Sequence, residues 1–191
     1  MDKKYSTQEE GNLLRITALR NFGNIKKGAK GGLIKSEYNL SHEGTCWIYI
    51  NAKVYNEAQI SNNAIIRDNA TIYDRVKICG NAQIGGDVKI SEDVIVSDRA
   101  VISDNVKIFN NAKIFNNAII YGNARIYGKV VIFENAIVSE YTRLYDNVQI
   151  SGNAFLAGTI NLHGHAQISG NAVVTDVDTY LLNSYKEKRK E

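Results

Sequence analysis

Asn51-Ala52-Lys53-Val54-Tyr55-Asn56, then Glu57-Ala58-Gln59-Ile60-Ser61-Asn62, then Asn63-Ala64-Ile65-Ile66-Arg67-Asp68: this six-residue phrase runs to Asn171-Ala172-Val173-Val174-Thr175-Asp176, twenty-one units over 126 residues with none skipped or inserted. A fixed short period marks a solenoid, in which each unit buries its apolar side only by stacking on its neighbours. The fourth position is aliphatic in every unit, from Val54 to Val174. The second carries thirteen Ala and six Val, with Thr142 and Ile160 completing the set. Residues two apart on an extended chain point the same way, so both positions face inward. The sixth position is always Asn, Asp, Gly or Glu, and the first is Asn in twelve units. Pairs such as Gly80-Asn81, Gly122-Asn123, Gly152-Asn153 and Gly170-Asn171 read as corners, because both residue types tolerate positive φ. Each unit is therefore a short strand and a turn.

The outward third position reveals a longer period. Every eighteenth residue from Ile65 gives Ile65, Gln83, Val101, Ile119, Ile137, Phe155 and Val173. From Lys53 the same step gives Lys53, Thr71, Lys89, Lys107, Arg125, Arg143 and Asn161. From Gln59 it gives Gln59, Lys77, Ile95, Lys113, Val131, Gln149 and Gln167. The three series differ in kind, so three strands make one coil and about seven coils make a triangular prism roughly 34 Å long.

These units resemble the hexapeptide repeat of left-handed β-helices, a superfamily that includes trimeric acyltransferases and the γ-class carbonic anhydrases. The resemblance implies an all-β, single-stranded, left-handed parallel β-helix over residues 45–176. A strand-like Leu13-Leu14-Arg15-Ile16-Thr17-Ala18-Leu19 and a Gly/Lys loop, Lys26-Lys27-Gly28-Ala29-Lys30-Gly31-Gly32, precede it. Residues 1–44 are assigned to an N-terminal β cap, with the cap proper from residue 11, because a solenoid must shield its terminal strand edges. Residues 177–191 are assigned to a C-terminal cap and charged tail. A cap followed by Asn-Ala repeats is similar to uncharacterised β-helix proteins carried by phages and prophages.

Composition narrows the function classes. There is no proline, which suits an unbroken backbone ladder, and the net charge of +3 implies no nucleic-acid partner by itself. The polar start, Met1-Asp2-Lys3-Lys4-Tyr5-Ser6, reads as no secretory leader, and no apolar run reaches membrane-spanning length. Cys46 and Cys79 are too few for a disulfide framework. A cytoplasmic protein is expected, or one of the host cytoplasm if the chain is phage-encoded, with no membrane partner.

Catalytic chemistry finds weak footholds. The Lys26–Gly32 loop lacks the Gly-Lys-Ser/Thr ending of a P-loop and reads as a solvated turn. In the acyltransferases that the repeat resembles, a histidine serves as general base at a cleft between subunits. His163 and His165 are the candidates here, with acetyl-coenzyme A or another acyl-coenzyme A as the implied cosubstrate. Those enzymes typically interrupt their coils with a loop around the acyl donor, and this chain has no such break. A carbonic-anhydrase site needs three converging histidines with an open fourth position. His42 lies far from the other two in the repeat, so no metal is expected. Cys79 points outward with only Lys77 nearby and reads as incidental.

The decorated faces carry more. On the first face, the fifth position runs Tyr55, Tyr73, Ser91, Phe109, Tyr127, Tyr145, His163 beside the Lys/Arg series. Aromatics interleaved with cations can mark a protein interface, a base-stacking surface or merely a shielded ring ladder. The expected function is a non-catalytic interaction protein of phage or prophage type. It would bind, and in an inhibitory form block, a macromolecular host partner through Tyr55, Tyr73, Lys89, Lys107, Phe109, Arg125, Tyr127, Arg143 and Tyr145. A protein or nucleoprotein partner is preferred to nucleic acid alone. The third face presents Trp47, Ile65, Val101, Ile119, Ile137, Phe155 and Val173 as a homo-oligomer interface, dimeric or trimeric. The alternatives are a hexapeptide-type acyltransferase and a purely structural rod.

Overall fold

The computed structural model describes residues 3–176. From Lys53 onward each unit contributes a two-residue strand at its third and fourth positions, and strands eighteen residues apart pair in parallel, as Lys107 with Arg125 and Ile108 with Ile126. Three sheets result. One carries the Lys53 series, one the Gln59 series and one the Ile65 series. The molecule is a triangular parallel β-solenoid, the fold that the period of eighteen predicts.

Inward residues at the second and fourth positions are fully buried from Ala52 to Leu156, forming one continuous apolar column. Burying each aliphatic side chain contributes about 1.5–3 kcal/mol, which a two-residue strand could not obtain alone. Thr142 and Ser139 are buried too, and their hydroxyls donate to the Gly158 and Leu156 carbonyls at 3.4 and 3.2 Å. The backbone ladder runs from coil to coil, as in Phe109 N–H to the Ile126 carbonyl at 2.9 Å.

Up to Gly170 the corners use left-handed backbone at the sixth position, at twelve Asn, Asp and Glu residues from Asn56 with φ 50° to Asp146 with φ 56° and at glycines between and after them. The carboxylates and amides there do a second task. Asp68 accepts the Gly86 N–H at 2.8 Å, Asp98 the Asn116 N–H at 2.9 Å and Asp104 the Gly122 N–H at 2.9 Å, each one coil on. First-position asparagines stack into amide ladders, with Asn117 donating to Asn135, Asn135 to Asn153 and Asn153 to Asn171 at 2.9–3.0 Å.

The solenoid begins earlier than residue 45. Strand β1 (Tyr5–Glu10) pairs antiparallel with β2 (Leu13–Ala18), and β2 pairs antiparallel with β3 (Lys30–Ile34). Strand β3 then pairs in parallel with Lys53–Val54, Leu40 bridges Ile60, and Trp47–Ile48 pairs with Ile65–Ile66. Residues 30–50 are thus a further coil ahead of the seven expected, and the cap proper is the β1–β2 hairpin. The eighteen-residue step fails here because Leu40 and Trp47 are seven apart where Ile60 and Ile65 are five, so two extra residues sit in Ser41–Cys46. Only the first part of the Gly/Lys loop is a turn. Gly31 and Gly32 lie within β3, where a Cβ on Gly32 would sit 2.4 Å from both the Ala52 carbonyl oxygen and Ile48 Cγ2. The expected C-terminal cap and tail lie outside the described residues.

Candidate interaction surfaces

The nine side chains expected to form the first-face site do share one sheet. Lys53, Thr71, Lys89, Lys107, Arg125, Arg143 and Asn161 stand in register along it. Beside them the rings stack face to face in two runs separated at Ser91. Tyr55 lies over Tyr73 with centroids 5.0 Å apart and planes within 10°. Phe109, Tyr127 and Tyr145 form the second run, at 5.4 and 5.3 Å with planes within 26° and 7°. The repeat imposes this geometry: identical positions on successive coils are one strand spacing apart, and flat side chains fill that spacing by stacking. Within each run a ring's face is covered by its neighbour. The surface therefore offers ring edges, phenol hydroxyls and cationic heads rather than open π-faces.

A second ladder escaped the sequence reading. Phe115 stacks on Phe133 on the neighbouring sheet, with centroids 5.2 Å apart and planes within 13°. The signal was present: every eighteenth residue from Ser61 gives Ser61, Cys79, Ser97, Phe115, Phe133, Ser151 and Ser169. A shallow groove beside it is lined by Asn111, Lys113, Lys129 and Val131.

The apolar stripe is real but starts lower than expected. Ile65, Val101, Ile119, Ile137, Phe155 and Val173 align on one sheet, with Ile119 37% and Val173 63% exposed. Trp47 does not belong to that surface. It is 1% exposed, with its ring edge-on to Phe22 at 5.4 Å, because the N-terminal segment folds over it. Tyr121 and Tyr141, 37% and 60% exposed, widen the stripe at its C-terminal half.

The catalytic candidates fall apart in space. His163 and His165 are exposed on the last described coil and its corner, while His42 stacks on Tyr5 at the opposite end with centroids 4.3 Å apart. Among the described residues no group of three or more His, Cys, Asp or Glu is placed to hold a metal. Burial pushes the Cys79 thiol upward, with Asp98 adding to it, which disfavours the reactive thiolate.

The densest polar chemistry sits where Ser41–Cys46 meets β1. Lys4 is fully buried, and its ammonium donates to the Cys46 carbonyl at 3.0 Å and the Glu43 carbonyl at 3.3 Å, with Cys46 Sγ at 3.1 Å. Burial lowers the Lys4 pKa, Cys46 opposing, and burial raises that of Cys46. The Tyr5 hydroxyl donates to the Leu40 carbonyl at 2.7 Å, and burial pushes its pKa up strongly, helped by Glu37 and Cys46. Every one of these groups is engaged with the chain itself, so the cluster reads as a lock between cap and first coil. Nothing in the sequence pattern marks Lys4 as buried.

The chain is similar to the family described as YdcK beta-solenoid repeat, which it matches over residues 118–134 and 166–176. No curated protein matches it. The match falls wholly within the repeats and supports a β-helix protein. No helix among the described residues is long and apolar enough to cross a membrane.

Proposed function

We propose that this β-helix is a non-catalytic binding rod that engages a macromolecular partner through its first face. The observation that carries the reading is the ring run Phe109–Tyr127–Tyr145 alongside Lys107, Arg125 and Arg143 in register. Like charges directly opposite on neighbouring strands repel, and the fold does not need them there. An arriving partner that supplies acceptors would relieve the repulsion. Covered ring faces favour a protein over a single-stranded nucleic acid, whose affinity for aromatic platforms depends on stacking onto open π-faces. The resemblance to phage-borne β-helix proteins makes a host protein, blocked by the rod, the partner in view. The apolar stripe from Ile119 to Val173 suits self-association of the rod in a cytoplasmic setting.

Replacing Arg125, Tyr127, Arg143 and Tyr145 with Ser tests the reading. Affinity capture from a host lysate, identified by mass spectrometry, should lose its specific co-eluting protein while the thermal melt stays within a few degrees of the parent. Capture unchanged by the fourfold replacement would remove this face from consideration. The acyltransferase alternative rests on His163 and His165. Thermal stabilisation by millimolar acetyl-coenzyme A that vanishes on replacing both would restore it.

A further inference from the structure

The binding surface does not stop at the first face. In the coils from Lys107 to Tyr145, cations and stacked rings stand on both of the faces that meet at the corner between the first and second sheets. On the first face stand Lys107, Arg125 and Arg143 with Phe109, Tyr127 and Tyr145. Around the corner stand Lys113 and Lys129 with Phe115 and Phe133. Among the described residues none of these five cations enters an ion pair.

Four carboxylates of the same edge are engaged within the chain. Asp74 accepts from Asn56 and from the Glu92 N–H, at 2.9 and 3.1 Å, and Glu92 accepts from Asn110 at 2.5 Å. Asp93 is held by Arg75 at 2.7 Å, and Asp146 accepts the Gly164 N–H at 2.9 Å. One end of the edge is thus acidic, with Asp74, Glu92 and Asp93 engaged by the chain's own groups, while at the other end the five cations enter no ion pair among the described residues.

We propose that this corner is the docking site of an acidic protein segment, one that carries Asp or Glu side chains interspersed with apolar ones. The assignment rests on the binding reading above and names the partner's chemistry and the second half of its footprint. Carboxylates complement the unpaired Lys and Arg heads, and they complement the electropositive ring edges that stacking turns outward. Apolar side chains of the partner meet Phe115, Phe133 and Val131, which a phosphodiester backbone would leave against water. Nucleic acid shares the charge but uses neither the ring edges nor the phenylalanine pair as well.

A random-peptide display library panned on the full-length chain tests this directly. Selected peptides should be rich in Asp and Glu, should weaken with rising salt, and should bind K113E/K129E and R125E/R143E each roughly tenfold or more weakly than the parent. Matching melts would show that the variants fold, and K113Q/K129Q serves if charge reversal does not. Peptides without acidic enrichment would overturn the proposed partner chemistry. Acidic peptides lost with R125E/R143E but unaffected by K113E/K129E would overturn the second-face footprint and leave the first-face reading standing. Displacement of the peptides by a single-stranded oligonucleotide at lower concentration than by soluble acidic peptide would assign the corner to nucleic acid instead.

Discussion

The N-terminal cap and the regular coils solve the same problem by opposite means. In the coils every contact is repeated: an aliphatic column inside, a carboxylate, amide or glycine at each corner, and a backbone ladder eighteen residues long in its step. Loss of one rung leaves its neighbours in place, so stability should be close to a sum of local terms. In the cap and the irregular first coil that it covers, each contact occurs once. Gly32 admits the Ala52 and Tyr49 carbonyls, Asn39 stitches the first coil to the second, and Lys4 and Tyr5 bind carbonyls of the irregular Ser41–Cys46 and Leu40 region. The comparison teaches that the repeat sets the architecture, while a few unrepeated residues decide where it may start.

Gly32→Ala should break the contrast most visibly. A Cβ there meets two backbone carbonyl oxygens and Ile48 Cγ2 at 2.4–2.6 Å, none of which can swing aside. The expected outcome is loss of the cap or failure to fold, a cost above about 4 kcal/mol in urea unfolding. A variant as stable as the parent would contradict the packing of β3.

Asn39→Ala comes next. The buried amide donates to the Asn56 and Ala58 carbonyls at 2.9 and 2.8 Å and accepts the Lys35 and Ser36 N–H groups, both at 2.8 Å. Orphaning those groups should cost about 3 kcal/mol. Ile108→Ala, in mid-rod, should cost a similar 2–5 kcal/mol but leave hydrogen exchange in the cap unchanged, since its effect stays with adjacent coils. Equal loss of protection at both ends would show that the rod unfolds as one unit.

The cap should also be the alkali-sensitive region. Burial raises the Tyr5 pKa, so the folded state keeps the phenolic proton that the unfolded chain releases near pH 10. The stability it confers is full below that pH and is lost as pH climbs toward the folded value. Cys46, also raised by burial, acts in the same direction above its ordinary pKa of about 8.5. Lys4, lowered by burial, acts oppositely below its ordinary pKa of about 10.4. Urea midpoints measured near pH 8 and about pH 11 should fall in the parent and fall less in Tyr5→Phe. An undiminished fall would place the sensitivity elsewhere.

The smallest effect belongs to the corners. Asn135→Ala removes one rung of the amide ladder between Asn117 and Asn153 and should cost only about 0.5 kcal/mol. A cost several times larger would mean that the ladder acts cooperatively and that the coils resemble the cap more than their repetition suggests.

Periodicity alone determined the solenoid, its three walls, the inward column and the shared face of Lys107, Arg125 and Arg143. A step of eighteen residues forces equivalent positions into register, so a column read from the sequence is a column in space. The same rule held the Phe115–Phe133 pair, which needed only to be read along the second face. What the tertiary structure decided lies where the period breaks. The two extra residues before Trp47 lengthen the first coil, so its start in residues 30–50 cannot be counted off, and Trp47, though it keeps the eighteen-residue step to Ile65, is buried by Phe22, which no period brings there. The burial of Lys4 depends on β1 folding back across some forty residues onto Cys46. Such contacts are made once, between segments with no common spacing, and only the packed chain brings them together.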